Sequence, residues 1–139
     1  MLDTTRMLVF LHVASNLVWI GAIASVGVVL GSAHASPRDR GKIALSVYRW
    51  LATPAMLGSL MMGLLRLVLS VDFYFVQTKF MHGKLFFAVG VIALHHILGS
   101  AAKRMAGGMI ESAGHSRQLV VALVVCAVCA TFFATVKPF

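Results

Sequence analysis

Seven ionisable side chains fall inside strongly apolar runs of this sequence: His12, Arg49, Arg66, His82, Lys84, His95 and His96. In hydrocarbon such a group costs roughly 2.5 to 3.5 kcal/mol at the bilayer centre and less near its edges, so each needs a partner, a cavity or a task. Apart from Asp72 at the edge of a run, no carboxylate lies near enough in sequence to pair with the cations. The chain therefore carries positive charge without an internal counter-ion, and an anionic ligand would supply one. His12 lies about five residues into the first run and His82 about one residue into the third, so at 1.5 Å per residue their depths differ by only ~6 Å. Two imidazoles at matched depth suit the axial positions of a haem iron, with Arg66, Lys79 and Lys84 at the same end to meet its carboxylates. The alternative is a pair of interfacial histidines hydrogen-bonded to backbone or water.

On the first run His12, Ser15, Asn16 and Trp19 follow the i, i+3, i+4, i+7 rule and make one polar stripe. Lipid offers such a stripe no partners, so it must line the interior. His82 and His96 are fourteen residues apart, within about 40° of one helical face and about 21 Å apart along the axis, a spacing similar to that of two-haem b-type cytochromes. On the first run the depth of His96 carries Val26 instead of a ligand, and Met56 is the one soft ligand nearby. His95 and His96 diverge by about 100°, so at most one points at a bundle centre. Met56, Met61 and Met62 with Cys126 and Cys129 could alternatively form a Cu(I) route, although methionine in an apolar chain is ordinarily filler. No phosphate loop, nucleotide fingerprint, metalloprotease His-Glu pair or nucleophile elbow occurs, which excludes soluble-type hydrolase and kinase chemistry.

The elements that must position these residues follow from composition. Of 139 residues 60% are hydrophobic and 12% charged, with mean hydropathy +0.92, against roughly 25% charged in a soluble domain. Four apolar runs, about 7–32, 43–71, 81–102 and 119–136, each reach the ~20 residues that cross a bilayer. The expected fold is all-α, a single integral membrane four-helix bundle spanning 1–139. The first run is too long for a signal-peptide core and reads as a retained span. Pro54 removes a backbone donor inside the second span and predicts a kink. Gly27 and Gly31 would let another helix approach closely, ordinarily for packing only, while small-residue helix faces in general suggest a homo-oligomer. The net charge of +8 describes loops facing anionic lipid rather than nucleic acid. Six Lys/Arg in the first and third connections against three at the termini and second connection place both termini on the non-cytoplasmic side.

The residues also carry a family likeness. Leu11-His12-Val13 and Val18-Trp19-Ile20-Gly21 in the first span, Tyr48-Arg49 and Thr53-Pro54-Ala55-Met56 with Gly63 in the second, Met81-His82-Gly83-Lys84-Leu85 with His95-His96 and Lys103-Arg104 in the third, and the ending Val136-Lys137-Pro138-Phe139 resemble the HemJ family of protoporphyrinogen oxidases and the related CopD-type membrane domains. The likeness covers almost the whole chain. It implies a bacterial inner-membrane protein that binds haem b and oxidises protoporphyrinogen IX to protoporphyrin IX, passing electrons to quinone or another respiratory acceptor. By that resemblance His12 and His82 hold or border the iron, and Lys84 and Arg49 serve the anionic porphyrin or catalysis; the reading of the residues adds Asn16 and Trp19 of the stripe with Arg66 and Lys79 as cofactor-binding candidates, and His96 as a catalytic candidate. The chain departs from the family where Ala22 to Gly31 replaces a Leu-Pro-Arg-Leu-Phe-Val-Tyr run, and where Gly114-His115-Ser116-Arg117 replaces an acidic segment. A CopD-like copper protein and a b-type electron-transfer cytochrome remain as alternatives.

Overall fold

The computed structural model describes residues 3–77 and 80–136. Among them are four helices long and apolar enough to cross a membrane: α1 (Thr4–Gly31), α2 (Pro37–Val68), α3 (Phe80–Ala106) and α4 (Ser116–Val136). No strand occurs among the described residues. The all-α four-span bundle expected from composition is therefore what the chain forms.

The helix limits follow from capping chemistry. At the start of α1 the Asp3 carboxylate accepts from the Thr5 amide at 3.2 Å. Ser36 caps α2, its hydroxyl oxygen accepting from the Asp39 amide and its O–H donating to the Asp39 carboxylate at 2.6 Å. Pro37 fills the first helical position, where no amide is needed. The Ser-Pro-x-Asp start signal sets the boundary, so α2 begins six residues before the position expected from hydropathy, and Gly41 lies inside it. There it is buried, and a side chain would collide with the backbone of Met105 and Ala106. At the other end of α3, Gly108 takes φ +74°, and the Met109 amide reaches back to the Arg104 carbonyl at 2.9 Å while Gly108 donates to Met105. This is a Schellman stop, the conformation glycine tolerates best.

Within α2 the segment Tyr48–Ala52 widens into a π turn, with the Thr53 amide donating five residues back to Tyr48. The cause is Pro54, which has no amide hydrogen and whose ring crowds the carbonyl four residues earlier. The two halves of α2 take different partners. Pro37–Val47 packs against α3, whereas Thr53–Val68 packs against α1 and barely touches α3 among the described residues. Beyond the π turn, α2 and α3 therefore diverge.

α4 packs on α3 and α1. Gly27 meets Val120, and Gly31 meets the Ser116 hydroxyl, so the small-residue pair serves packing inside the chain. The loops at this end are tied by Arg40, whose guanidinium donates to the carbonyls of Leu30, Ser32 and Glu111. The core runs along the axis through Trp19, Ile23, Val26, Leu30, Ala52, Met56, Leu98, Ala102 and Leu123. Large apolar side chains such as Phe10, Leu17, Val28 and Phe86 point outward, the pattern of a lipid-facing surface.

Candidate functional site

The polar stripe of α1 faces inward. His12, Ser15 and Asn16 are half-buried and Trp19 is buried, while Leu11, Val13, Leu17 and Val18 between them are exposed. Its upper part closes a small ring of hydrogen bonds with α2. His12 Nδ1 lies 2.8 Å from the Ser59 carbonyl oxygen, which can only accept, so Nδ1 carries the proton and donates. Nε2 is then the lone-pair nitrogen and accepts from the Asn16 amide nitrogen at 3.1 Å. The Ser59 hydroxyl completes the ring by donating to Asn16 Oδ1 at 2.8 Å. Gly63 leaves the space in which the imidazole sits, since a Cβ there would come 2.9 Å from His12 Cε1.

The cations stand around this histidine on the diverging walls. Arg66 comes from the last turn of α2 and Lys84 from the start of α3, both half-buried. The charges acting on His12 are those of Lys84 and Arg66, and Arg66 acts in turn on Lys84. Arg66 Nε–H donates to the Tyr74 hydroxyl at 2.6 Å, while one terminal nitrogen of its guanidinium is buried without an acceptor among the described residues. Tyr74, from the wide turn Asp72–Gln77, is itself buried against Phe73 and Phe80. Lys79 lies outside the described residues.

His82 takes a different position. Two residues from Lys84, it projects about 200° away around the helix. It is exposed, meets the Phe75 ring edge-on at 5.7 Å, and lines an apolar groove of about 540 Å³ together with Leu85, Phe86, Phe87, Val89 and Cys126. His12 and His82 thus reach the same end of the bundle but face different surroundings: α2 for one, the α3–α4 groove for the other.

Arg49 and His96 lie elsewhere. Arg49 is exposed in the π turn, about 25 Å along the helix from Arg66, and His96 is exposed about 18 Å along α3 from Lys84. His96 meets Tyr48, whose hydroxyl is 3.4 Å from His96 Nδ1, and Arg49 is the residue that follows Tyr48 in the chain. The member of the histidine pair that enters the core is His95, fully buried, with Trp19 Nε1–H donating to its Nδ1 at 3.1 Å. Trp19 therefore binds His95 rather than bordering the cation cluster.

Sequence reasoning placed the stripe and the cations but missed Ser59 and Tyr74, gave Gly63 no role beside His12, and left open which of His95 and His96 enters the core. For His95 a signal existed: it shares a helical face with Val91, Leu98, Gly99 and Ala102, all buried. Among the described residues no group of three or more His, Cys, Asp or Glu side chains gathers as for a metal, and Cys126 and Cys129 are half-buried free thiols. Comparison with protein families, curated proteins and solved structures yields no match to this chain.

Proposed function

We propose that the chain is a haem b-binding membrane oxidoreductase that oxidises protoporphyrinogen IX to protoporphyrin IX, as its HemJ-like residues suggest. The observation that carries this reading is the pair Arg66 and Lys84 on the diverging walls of α2 and α3. A buried guanidinium nitrogen without a partner among the described residues is the donor a carboxylate needs in low dielectric. A porphyrinogen offers such carboxylates on an apolar ring.

The residues fit haem b through His82, an exposed imidazole on an apolar groove. His12 would have to release Asn16 before its lone pair could reach an iron. Bound haem would supply a one-electron relay towards a quinone or other respiratory acceptor.

The chain's own residues then do the following. Arg66 and Lys84 hold the anionic edge of the substrate, and Tyr74 fixes the Arg66 fork. The Ser59 carbonyl holds the Nδ1 proton of His12, so Nε2 is the basic nitrogen and accepts a proton once Asn16 turns aside. The loss of six electrons and six protons aromatises the ring. This end lies opposite the basic loops, so the substrate enters from within the membrane.

The test is an optical spectrum of detergent-purified protein combined with a protoporphyrinogen assay using a quinone acceptor. A Soret band with porphyrin formation supports the proposal. A Soret band without porphyrin formation makes the protein an electron-transfer cytochrome. Stoichiometric copper without a Soret band makes it a copper protein.

A further inference from the structure

His95 has no part in the site above, yet it is fully buried in the span between α1, α2 and α3. Its neighbours fix its protonation. The indole nitrogen of Trp19 can only donate, and it points at His95 Nδ1 from 3.1 Å. Nδ1 must therefore be the lone-pair nitrogen, and Nε2 carries the proton. A doubly protonated ring would set two N–H groups against each other. The same argument disqualifies Nε2 as a metal ligand while the Trp19 bond stands.

The ring is also clamped. Tyr48 lies against it at 4.7 Å and 32°, and Trp19 and His96 meet it edge-on at 6.0 and 5.2 Å. Tyr48 in turn rests on Gly99, where any side chain would collide with it. The Nε2–H vector is consequently set by packing, and it has no acceptor among the described residues. A buried donor left dry costs about 1–3 kcal/mol, and native interiors rarely leave one so.

A second orphan lies on the element that supplies Tyr48. Thr53 Oγ1 is buried without a partner among the described residues, in the turn whose next residue, Pro54, brings no amide hydrogen. Thus α3 offers a spare donor, and α2 a spare hydroxyl at the π turn. Ile23, Ala52, Leu98 and Ala102, aliphatic and fully buried, belong to one core cluster that Tyr48 packs against.

We propose that His95 anchors an internal hydration site: one water molecule accepts from Nε2–H and bonds to the π-turn end of α2. An internal water with two to four polar partners is a normal structural component. It is independent of the Arg66–Lys84 site.

The experiment is NMR on the full chain in micelles with histidine labelled by ¹⁵N. The expected result is the Nε2-protonated tautomer of His95, with an exchange cross-peak from Hε2 to water; in Trp19→Phe the Nδ1-protonated tautomer should appear alongside it. A ring protonated at Nδ1 in the unaltered chain, or an Hε2 whose only cross-peaks come from aliphatic protons, overturns the proposal.

Discussion

The imidazole of His12 lies over the bare backbone of Gly63, close enough that a Cβ would stand 2.9 Å from its Cε1 and 3.1 Å from its Nδ1. The glycine and the Ser59 carbonyl together decide how deep this ring sits and which nitrogen is protonated. Gly63→Val should push the ring out of its seat, costing the Nδ1 bond and about 1–3 kcal/mol for the carbonyl left behind. Porphyrinogen oxidation should fall at least tenfold. Gly58→Ala is the control, since a Cβ there would touch Ser15 alone among the described residues, at 3.4 Å from Oγ and 3.9 Å from Cβ, and should leave activity within twofold.

Arg66→Gln and Lys84→Gln should each weaken binding of a dicarboxylate tetrapyrrole by about 10- to 100-fold, the range expected for losing a charge-assisted hydrogen bond. Arg66→Lys should restore little, because lysine cannot bond Tyr74 and a carboxylate as one planar fork. Titration of ligand fluorescence quenching measures both. Equal affinity in all three variants would place the anion elsewhere.

The two histidines should part company in the spectrum. His82→Ala should abolish the Soret band, because His82 lines the apolar groove. In His12→Ala the band should persist and porphyrinogen turnover should fall, because both His12 nitrogens are engaged by Ser59 and Asn16. A wild-type spectrum in His82→Ala would remove it as a ligand.

Pro54→Ala should restore the missing amide and draw the π turn towards a regular α-helix. That turns Tyr48 relative to Gly99 and reduces the divergence of α2 from α3. Hydrogen exchange across 48–53 should slow, while affinity for an anionic tetrapyrrole drops.

Orientation is open to chemical labelling. Single cysteines introduced at His34 and at Gly114, both exposed, in a chain carrying Cys126→Ala and Cys129→Ala, should react with a membrane-impermeant maleimide only when the cytoplasmic face is accessible. Labelling of intact cells would invert the topology deduced from the basic loops.

Helix number and approximate span limits were legible because hydropathy reports burial in lipid directly. The inward turn of the α1 stripe was legible too, since Ser15 and Asn16 have no partners in hydrocarbon. What stayed hidden depends on pairs. Charge made Arg38 to Lys42 read as a loop, although Ser36, Pro37 and Asp39 encode a helix start. Nothing in the local sequence around Ser59 or Gly63 announces that each meets His12 from 47 and 51 residues away in the chain. Depth along a helix also says nothing of azimuth: His12 and His82 match in height, but one faces α2 and the other the α3–α4 groove. For the same reason Arg49 and His96, grouped with Lys84 as catalytic candidates, stand far from it along the bundle.

Gly27 and Gly31 are consumed by Val120 and Ser116 of the same polypeptide. Enlarging either glycine would consequently lever α4 off α1, and the damage would register as loss of monomer integrity rather than as a change in subunit number. Any self-association must be built from the outer ridge of α4, where Val121, Val125, Val128 and Phe132 project, or from another surface that the folded protomer has not already used.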